Sequence, residues 1–544
     1  MSNFAERLES HLGDPFDSNS AVSFQRIVEL DEREEFPSEF IGCLRQAGAH
    51  QYLIPRELGG SLASFEESAV LLRSISRRDL TAAIAFGQTF LGSIPLWLAG
   101  SETQRQALAA SIRSGALGCL ALTEELHGGD LTACDFQAVR VGGRYLLSGR
   151  KWLINNGGSG DFATVFARTS QDAGISAYSL VYLDRSQARA AGFQQLAKIH
   201  THGIRGADIS GFECSALAVP ESAIVGAEGR GYELTLKTLQ VSRTMCAALS
   251  LGAGDTALRV ALDFALHRKV FGDTVANIPA ARAQLAGAYV DLLICECLSL
   301  AVARAIQVCP ERLSIWSSAV KYLVPVMVED LIRESAIVLG ARHYLRESFH
   351  SGVFQKAMRD NAVVGLFDGS SAVNLHIISG QLMALMAKRG TSTDRPQRLR
   401  SLFDRSAAPV WQSFPPASKL SFTNNGFDEI VDGLRDLDIT GMPPLVEELR
   451  EELHTLERDW SAGSSRPANS VQRFALAKRY CLILAASACV LAWKHNPPLQ
   501  SGDWLTAALQ RILQRLNSRV VYEIPDRLFQ RMAEQFQQKQ QFSL

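Results

Sequence analysis

Apolar positions recur at helical spacing through residues 1–115. Phe40, Leu44 and Ala47 share one face, as do Phe65, Ala69, Leu72 and Ile75 further on. This predicts an all-helical N-terminal domain. The period changes at Ala116: Leu117 to Leu122 is a short apolar run, and Phe136 to Val141 meets Arg144 to Ser148 across Gly142-Gly143. A Gly-Gly pair accepts positive φ at both corners, which is a strong hairpin signal. With further strands expected at Phe162 to Arg168 and Tyr178 to Leu183, residues 116–225 read as a middle β domain.

The helical period returns from Tyr232. Leu285, Tyr289, Leu292 and Leu293 lie on one face behind Pro279, a residue the first helical turn accepts. A break falls at Pro310, and the next helix is expected to stop at Gly340. A fourth helix is expected from Phe354 to about Met386, completing a four-helix domain over residues 226–387. Residues 388–420 are rich in Arg, Pro and Ser and read as a connector. Beyond them, residues 421–544 form a helical extension, with a stripe of Leu445, Leu449, Leu453 and Leu456 and a second long helix from Arg473 to Trp493. The expected architecture is therefore mainly α with a middle β domain.

Composition narrows the partners. Hydrophobic residues make up 47% of the 544 and charged residues 20%, a globular balance. With 55 basic residues against 56 acidic ones, no global electrostatic argument favours nucleic acid or an anionic membrane. Ten cysteines are scattered, and the close pair Cys295 and Cys297 lacks the two-residue gap of redox and zinc pairs, so reduced core thiols and no metal are expected. The N-terminus has no signal-peptide pattern, which makes the cytoplasm the expected compartment. The apolar run Cys481 to Trp493 falls short of the roughly 20 residues a spanning helix needs, so no transmembrane segment is expected.

Four segments carry candidate chemistry. Ala121 to Asp130, reading Ala-Leu-Thr-Glu-Glu-Leu-His-Gly-Gly-Asp, packs a hydroxyl, glycines and carboxylates into one loop whose amides could cradle a phosphate or a ring edge. Gly149 to Gly158 contains Asn155 and Asn156, able to donate to a heteroaromatic ring, although Asn156-Gly157 alone would predict a turn. Arg268 to Gly272 is expected to end the helix that begins near Val241, where the helix dipole favours basic residues in any case. Arg243, read as lying near the start of that helix, runs against the same preference. Asp368 follows the apolar run Val363 to Phe367, which places a carboxylate beside apolar surface; in isolation Asp368-Gly369-Ser370-Ser371 is a turn.

In this order the segments resemble the acyl-CoA dehydrogenase family. Thr123, Glu124, Gly128 and Asp130 match its Thr-Glu-Pro loop, and Ile154, Asn156, Gly157 and Gly158 its Trp-Ile-Thr-Asn-Gly-Gly strand. Gly203 to Gly206 through Val219-Pro220, then Arg243, Arg268 to Gly272, Gly340 and Arg359-Asp360, follow in family order over roughly residues 25–385. The resemblance implies a helical domain, a β-barrel-like domain and a four-helix bundle, with FAD held by the last two and completed by a neighbouring subunit. Cofactor contacts would come from Leu122, Thr123, Gly129, Leu153, Ile154, Asn155, Arg268, Phe271, Gly340, Ala341, Gly369 and Ser370. Gly129, Gln240 and Arg243 would seat the substrate. Asp368 would remove the α-proton of an acyl thioester, on CoA or a carrier protein, as hydride leaves the β-carbon. The resemblance also implies electron-transfer flavoprotein or O2 as acceptor.

Several positions depart from the family pattern. Aspartate at 368 replaces the usual glutamate and shortens the base by one methylene, about 1.5 Å. The alternative base position is Ser242, which cannot serve. Aspartate as base resembles the nitroalkane-oxidising branch, which places an arginine where this chain has Leu375. Gly129, Asn155, Leu153, Ala341 and His343 each replace a family residue at the flavin. A protein that kept the fold for binding or scaffolding and lost the reaction is the alternative of a different class. The long tail resembles the extensions of very-long-chain dehydrogenases and acyl-CoA oxidases in length and helicity, which implies a homodimer.

Overall fold

The computed structural model describes residues 3–185, 192–347, 349–387, 393–406, 409–411, 413–438, 440–462, 470–500, 503–517 and 523–544. It divides into two compact units, one comprising Met1–Ser242 with Val410–Leu420, the other Arg243–Pro409 with Ser421–Leu544.

In the first unit the helical spacing becomes helices Asn3–Leu12, Phe24–Glu32, Ser38–Gln46, Phe65–Arg78, Leu80–Ala99 and Glu102–Arg113. Phe65, Ala69, Leu72 and Ile75 are all buried, as their common face requires. Polar caps set the boundaries: Ser64 accepts from the Glu67 N–H, and Asp79 from the N–H groups of Thr81 and Ala82. Seven strands form one sheet: β1 (Gly118–Ala121), β2 (Gln137–Val141), β3 (Arg144–Asn155), β4 (Phe162–Arg168), β5 (Tyr178–Asp184), β6 (Phe193–Gln195) and β7 (Ile209–Pro220). The β2–β3 hairpin turns at Gly142-Gly143, with φ of 56° and 77°, the conformation that a side chain would resist. The hairpin strand does not end at Ser148. It continues to Asn155 because β7 pairs along its length, through register shifts at Leu147/Gly149 and Trp152/Ile154.

The second unit holds the rest of a helix that starts at Gly231, not near Val241, and runs to His267. Helices Pro279–Val308 and Leu313–Leu339 pack on each other along a buried apolar seam. Pro279 occupies the first turn of one and Gly340 stops the other. The expected fourth helix is two, Val353–Val364 and Ser371–Ala387, interrupted over residues 365–370. Apolar spacing continues across the interruption, so periodicity could not reveal it. The stretch read as a connector contains helix Arg395–Phe403, held by Arg304, which donates to the Ser401 and Asp404 carbonyls.

The extension is built into its unit by buried charge. Asp291, fully buried, accepts from Arg511 at 3.1 Å and Arg515 at 2.8 Å, and Arg515 also reaches Asp330 at 2.6 Å. At the C-terminus Phe542 is buried under Arg259, 4.4 Å from its ring, while its N–H donates to Asp255. The run Cys481 to Trp493 belongs to helix Ser470–His495. By length and composition alone that helix and three others are long enough to cross a membrane, contrary to the shorter run read from sequence. From 67% to 100% of each apolar window is buried inside the protein, which accounts for the hydropathy. All ten cysteines are free thiols.

Asp428 caps helix Glu429–Arg435 and accepts from Trp316 at 3.0 Å and Tyr480 at 2.7 Å. Burial, with Asp432 nearby, pushes its pKa up to about 7. The folded chain then retains a proton that the unfolded chain has released, so this carboxyl's favourable contribution is intact below about pH 4 and is lost as pH rises through about 7. In urea denaturation, the wild-type midpoint is expected to fall between about pH 5 and about pH 8 more steeply than that of Asp428→Asn. Parallel profiles would contradict it.

Candidate active site

In the first unit the loop after β1 is fastened by one ion pair. Lys151, fully buried on β3, places its Nζ 2.7 Å from Glu124 Oε1 and 3.0 Å from the Leu122 carbonyl. Glu124 also accepts from the backbone N–H groups of Asp135 at 2.8 Å and Phe136 at 3.1 Å, and from the Cys134 thiol at 3.1 Å. Burial works to raise this carboxyl's pKa, but the Lys151 ammonium and these donors prevail and hold it below the usual range. Glu124, His127 and Asp135 approach within 4.8 Å of one another. The Glu124 oxygens are already engaged by protein donors, and His127 Nε2 pairs with Asp135 at 2.7 Å, so the group is a loop clasp.

The clasp brings the expected flavin-facing residues together, because the Trp152 N–H donates to the Thr123 carbonyl at 3.1 Å. Leu122 and Thr123 are half-buried and Gly129 is exposed. Leu153 sits at the second register shift of β3 with φ of 58°, a left-handed conformation that costs a leucine roughly 1–2 kcal/mol. The shift turns Leu153 outward, 42% exposed, while Ile154 goes into the core. Asn155 follows with a buried side-chain oxygen that has no hydrogen-bond partner. Asn156, whose side-chain oxygen is likewise without a partner, donates its amide to the Ala85 and Gly118 carbonyls. Gln240 is buried near the end of this unit's share of helix Gly231–His267.

In the second unit the interruption between helices presents Asp368. Arg243 does not lie at a helix start: it is in the middle of Gly231–His267, where the dipole argument has no force. Its Nε donates to the Asp368 carbonyl at 2.7 Å. A Cβ at Gly369, φ 95°, would lie 2.9 Å from the same guanidinium, so the close approach requires glycine there. Asp368 itself has φ of 54°. Asn374 donates to the Gly369 and Ser370 carbonyls at 2.8 and 3.0 Å, fixing the loop from its far side. Lys321 donates to the Val364 carbonyl, the last of its helix, and stands 5.0 Å over the Phe367 ring. Burial lowers the pKa of both Arg243 and Lys321, against the pull of Asp368.

Sequence reading singled out neither Lys321 nor Cys246, whose Sγ lies 3.6 Å from Asp368 Oδ2. Cys246 falls one helical turn after Arg243, a spacing that could have drawn attention to it. Of the apolar run before Asp368 only Val364 is fully buried, and Leu366 is 66% exposed. Arg268 and Phe271 lie just past the helix end, on a small hairpin pairing Lys269–Val270 with Asp273–Thr274. Phe271 is fully exposed with φ of 52°. Gly340 and Ala341 are exposed in the turn after Leu339, and a Cβ at Gly340 would meet nothing within 4 Å.

These features fit a bound flavin. An unpaired buried amide oxygen at Asn155 suits a ring N–H, an outward leucine beside it suits an aromatic face, and a fully exposed phenylalanine suits an aromatic or apolar partner outside the chain.

Comparison with known proteins agrees. The acyl-CoA dehydrogenase N-terminal, middle and C-terminal domain models match residues 22–116, 119–216 and 229–383. A probable acyl-CoA dehydrogenase, FadE25, of Mycobacterium tuberculosis is 25% identical over 65% of this chain and 90% of its own length. Cyclohex-1-ene-1-carbonyl-CoA dehydrogenase of Geobacter metallireducens is 25% identical over 66% of this chain and 93% of its own. The solved acyl-CoA dehydrogenase of Bacillus anthracis, complexed with FAD, aligns with a TM-score of 0.73 at 16% identity, covering 99% of this chain and 95% of that one. That likeness speaks to the fold alone, and its coverage takes in the C-terminal extension.

Removing Glu124 strands a buried ammonium. Glu124→Ala is expected to cost about 3–5 kcal/mol in urea denaturation and to reduce the visible flavin absorbance of the purified protein. Adding Lys151→Met should recover part of the stability. A Glu124→Ala chain as stable as wild type would refute the clasp.

Proposed function

Because this chain belongs to the acyl-CoA dehydrogenase family, we propose that it oxidises the Cα–Cβ bond of an acyl thioester with Asp368 as the base. The family's enzymes are FAD-dependent oxidoreductases acting on CH–CH groups. Bound FAD supplies the two-electron acceptor for the hydrogen leaving the β-carbon. Leu122, Thr123, Gly129, Leu153 and Asn155 of the first unit are residues that would hold it.

The observation that carries this reading is the surroundings of Asp368. Its carbonyl is held by Arg243 and its loop by Asn374 and Lys321, so the carboxylate projects from a fixed backbone. Glu124 shows the opposite case, a carboxylate occupied by an ammonium and three further donors, with no capacity to accept another proton readily. Two buried basic side chains, Arg243 and Lys321, lie near the single carboxylate of Asp368, one on its main-chain carbonyl and the other on that of Val364. That surplus of positive charge favours the negative charge that builds on a thioester carbonyl as its α-proton is removed. The full exposure of Phe271 supports a homodimer in which this hairpin serves the partner's site.

Asp368→Asn should retain the yellow colour and lose about 100- to 10,000-fold in kcat on the acyl-CoA, or carrier-bound acyl group, that bleaches the wild-type flavin. Unchanged turnover would exclude Asp368 as the base. A wild-type flavin that no thioester of any length bleaches would exclude the reaction.

A further inference from the structure

The chain contains two carboxylates placed in parallel settings, each near a buried lysine and a buried cysteine. At the first, Lys151 and Cys134 both touch Glu124, at 2.7 and 3.1 Å, and two backbone N–H groups complete the set. At the second, Lys321 turns away to the Val364 carbonyl and Arg243 takes the Asp368 main chain. Among the described residues Cys246 is then the one side chain that donates to the Asp368 carboxylate, its Sγ 3.6 Å from Oδ2. Thiol and guanidinium come from one helix face, three residues apart, so the helix that fixes the base's backbone also fixes its carboxyl group.

We propose that Cys246 is a positioning residue for the reaction: its S–H donates to Asp368 Oδ2, pinning the side-chain rotamer of the shortened base and leaving the other oxygen to take the proton. This rests on the reading of Asp368 as the base.

The chemistry favours a thiol over stronger donors. A weak S–H donor orients a carboxylate while quenching its basicity less than the ammonium and amides do at Glu124. The charged and titratable groups facing Asp368 are Arg243 and Cys246 from helix Gly231–His267 and Lys321 from helix Leu313–Leu339. Burial first, and the nearby Asp368 charge second, push the Cys246 thiol well up, so it stays protonated and able to donate. Loss of the donor leaves the carboxylate free to rotate, which lowers the rate.

The infrared S–H stretching band of the purified protein tests the hydrogen bond without reference to turnover. The Cys246 band is identified by its disappearance in Cys246→Ala and is expected to shift in Asp368→Asn, while the Cys134 band stays in place as the internal reference. In kinetics with a thioester that bleaches the flavin, Cys246→Ala should lower kcat about tenfold with little change in KM. Cys246→Ser, which keeps a donor in nearly the same volume, should restore most of the rate. A Cys246 band indifferent to Asp368→Asn overturns the proposal, as does Cys246→Ala with a wild-type kcat. If the band responds but Asp368→Asn leaves thioester turnover unchanged, the hydrogen bond stands and the positioning role falls together with the base assignment.

Discussion

A buried charge must find its partners inside the fold, and the contact between Lys151 and Glu124 organises the first unit around that requirement. Neither group could be buried alone at tolerable cost. Their pairing fixes β3 to the loop after β1, and through the Trp152 and Thr123 backbone it aligns the two segments. The strained backbone at Leu153 persists because the strand is held on both sides of it, by Lys151 before and by the Asn156 side chain after.

The second unit meets a different constraint. Its long helices supply most of the buried surface, and a continuous fourth helix would satisfy the same apolar spacing. The chain breaks it at residues 365–370 instead, and the carbonyls released there accept from Lys321, Arg243 and Asn374. Rigid helices thus hold an irregular loop, and the loop holds the carboxylate. Local strain at Asp368 is the cost of presenting a charged group from the end of a helix into its own surroundings.

The extension follows the same logic on a larger scale. Asp291 lies in the middle of a helix belonging to the family domain and would be an uncompensated buried charge without Arg511 and Arg515. Glu296, on the same helix, is met by Arg405 and Ser543. The tail is therefore an integral part of its unit, which agrees with a structural likeness spanning nearly the whole chain.

Much of this was legible in the sequence. Hydropathy periods located the N-terminal helices, the β2–β3 hairpin and the helix pair bounded by Pro279 and Gly340, because those elements follow from local spacing and turn chemistry. Motifs matching in family order identified the family and its cofactor. The sequence was silent where partners lie far apart along the chain: Lys151 with Glu124, Lys321 with the end of another helix, and Cys246 with Asp368. Spacing alone also misplaced Arg243 at a helix start and joined two helices into one, since periodicity cannot register a break that keeps its phase. Which carboxylate is saturated with donors and which remains open was decided by tertiary packing, because burial and donor count depend on side chains that only folding brings together.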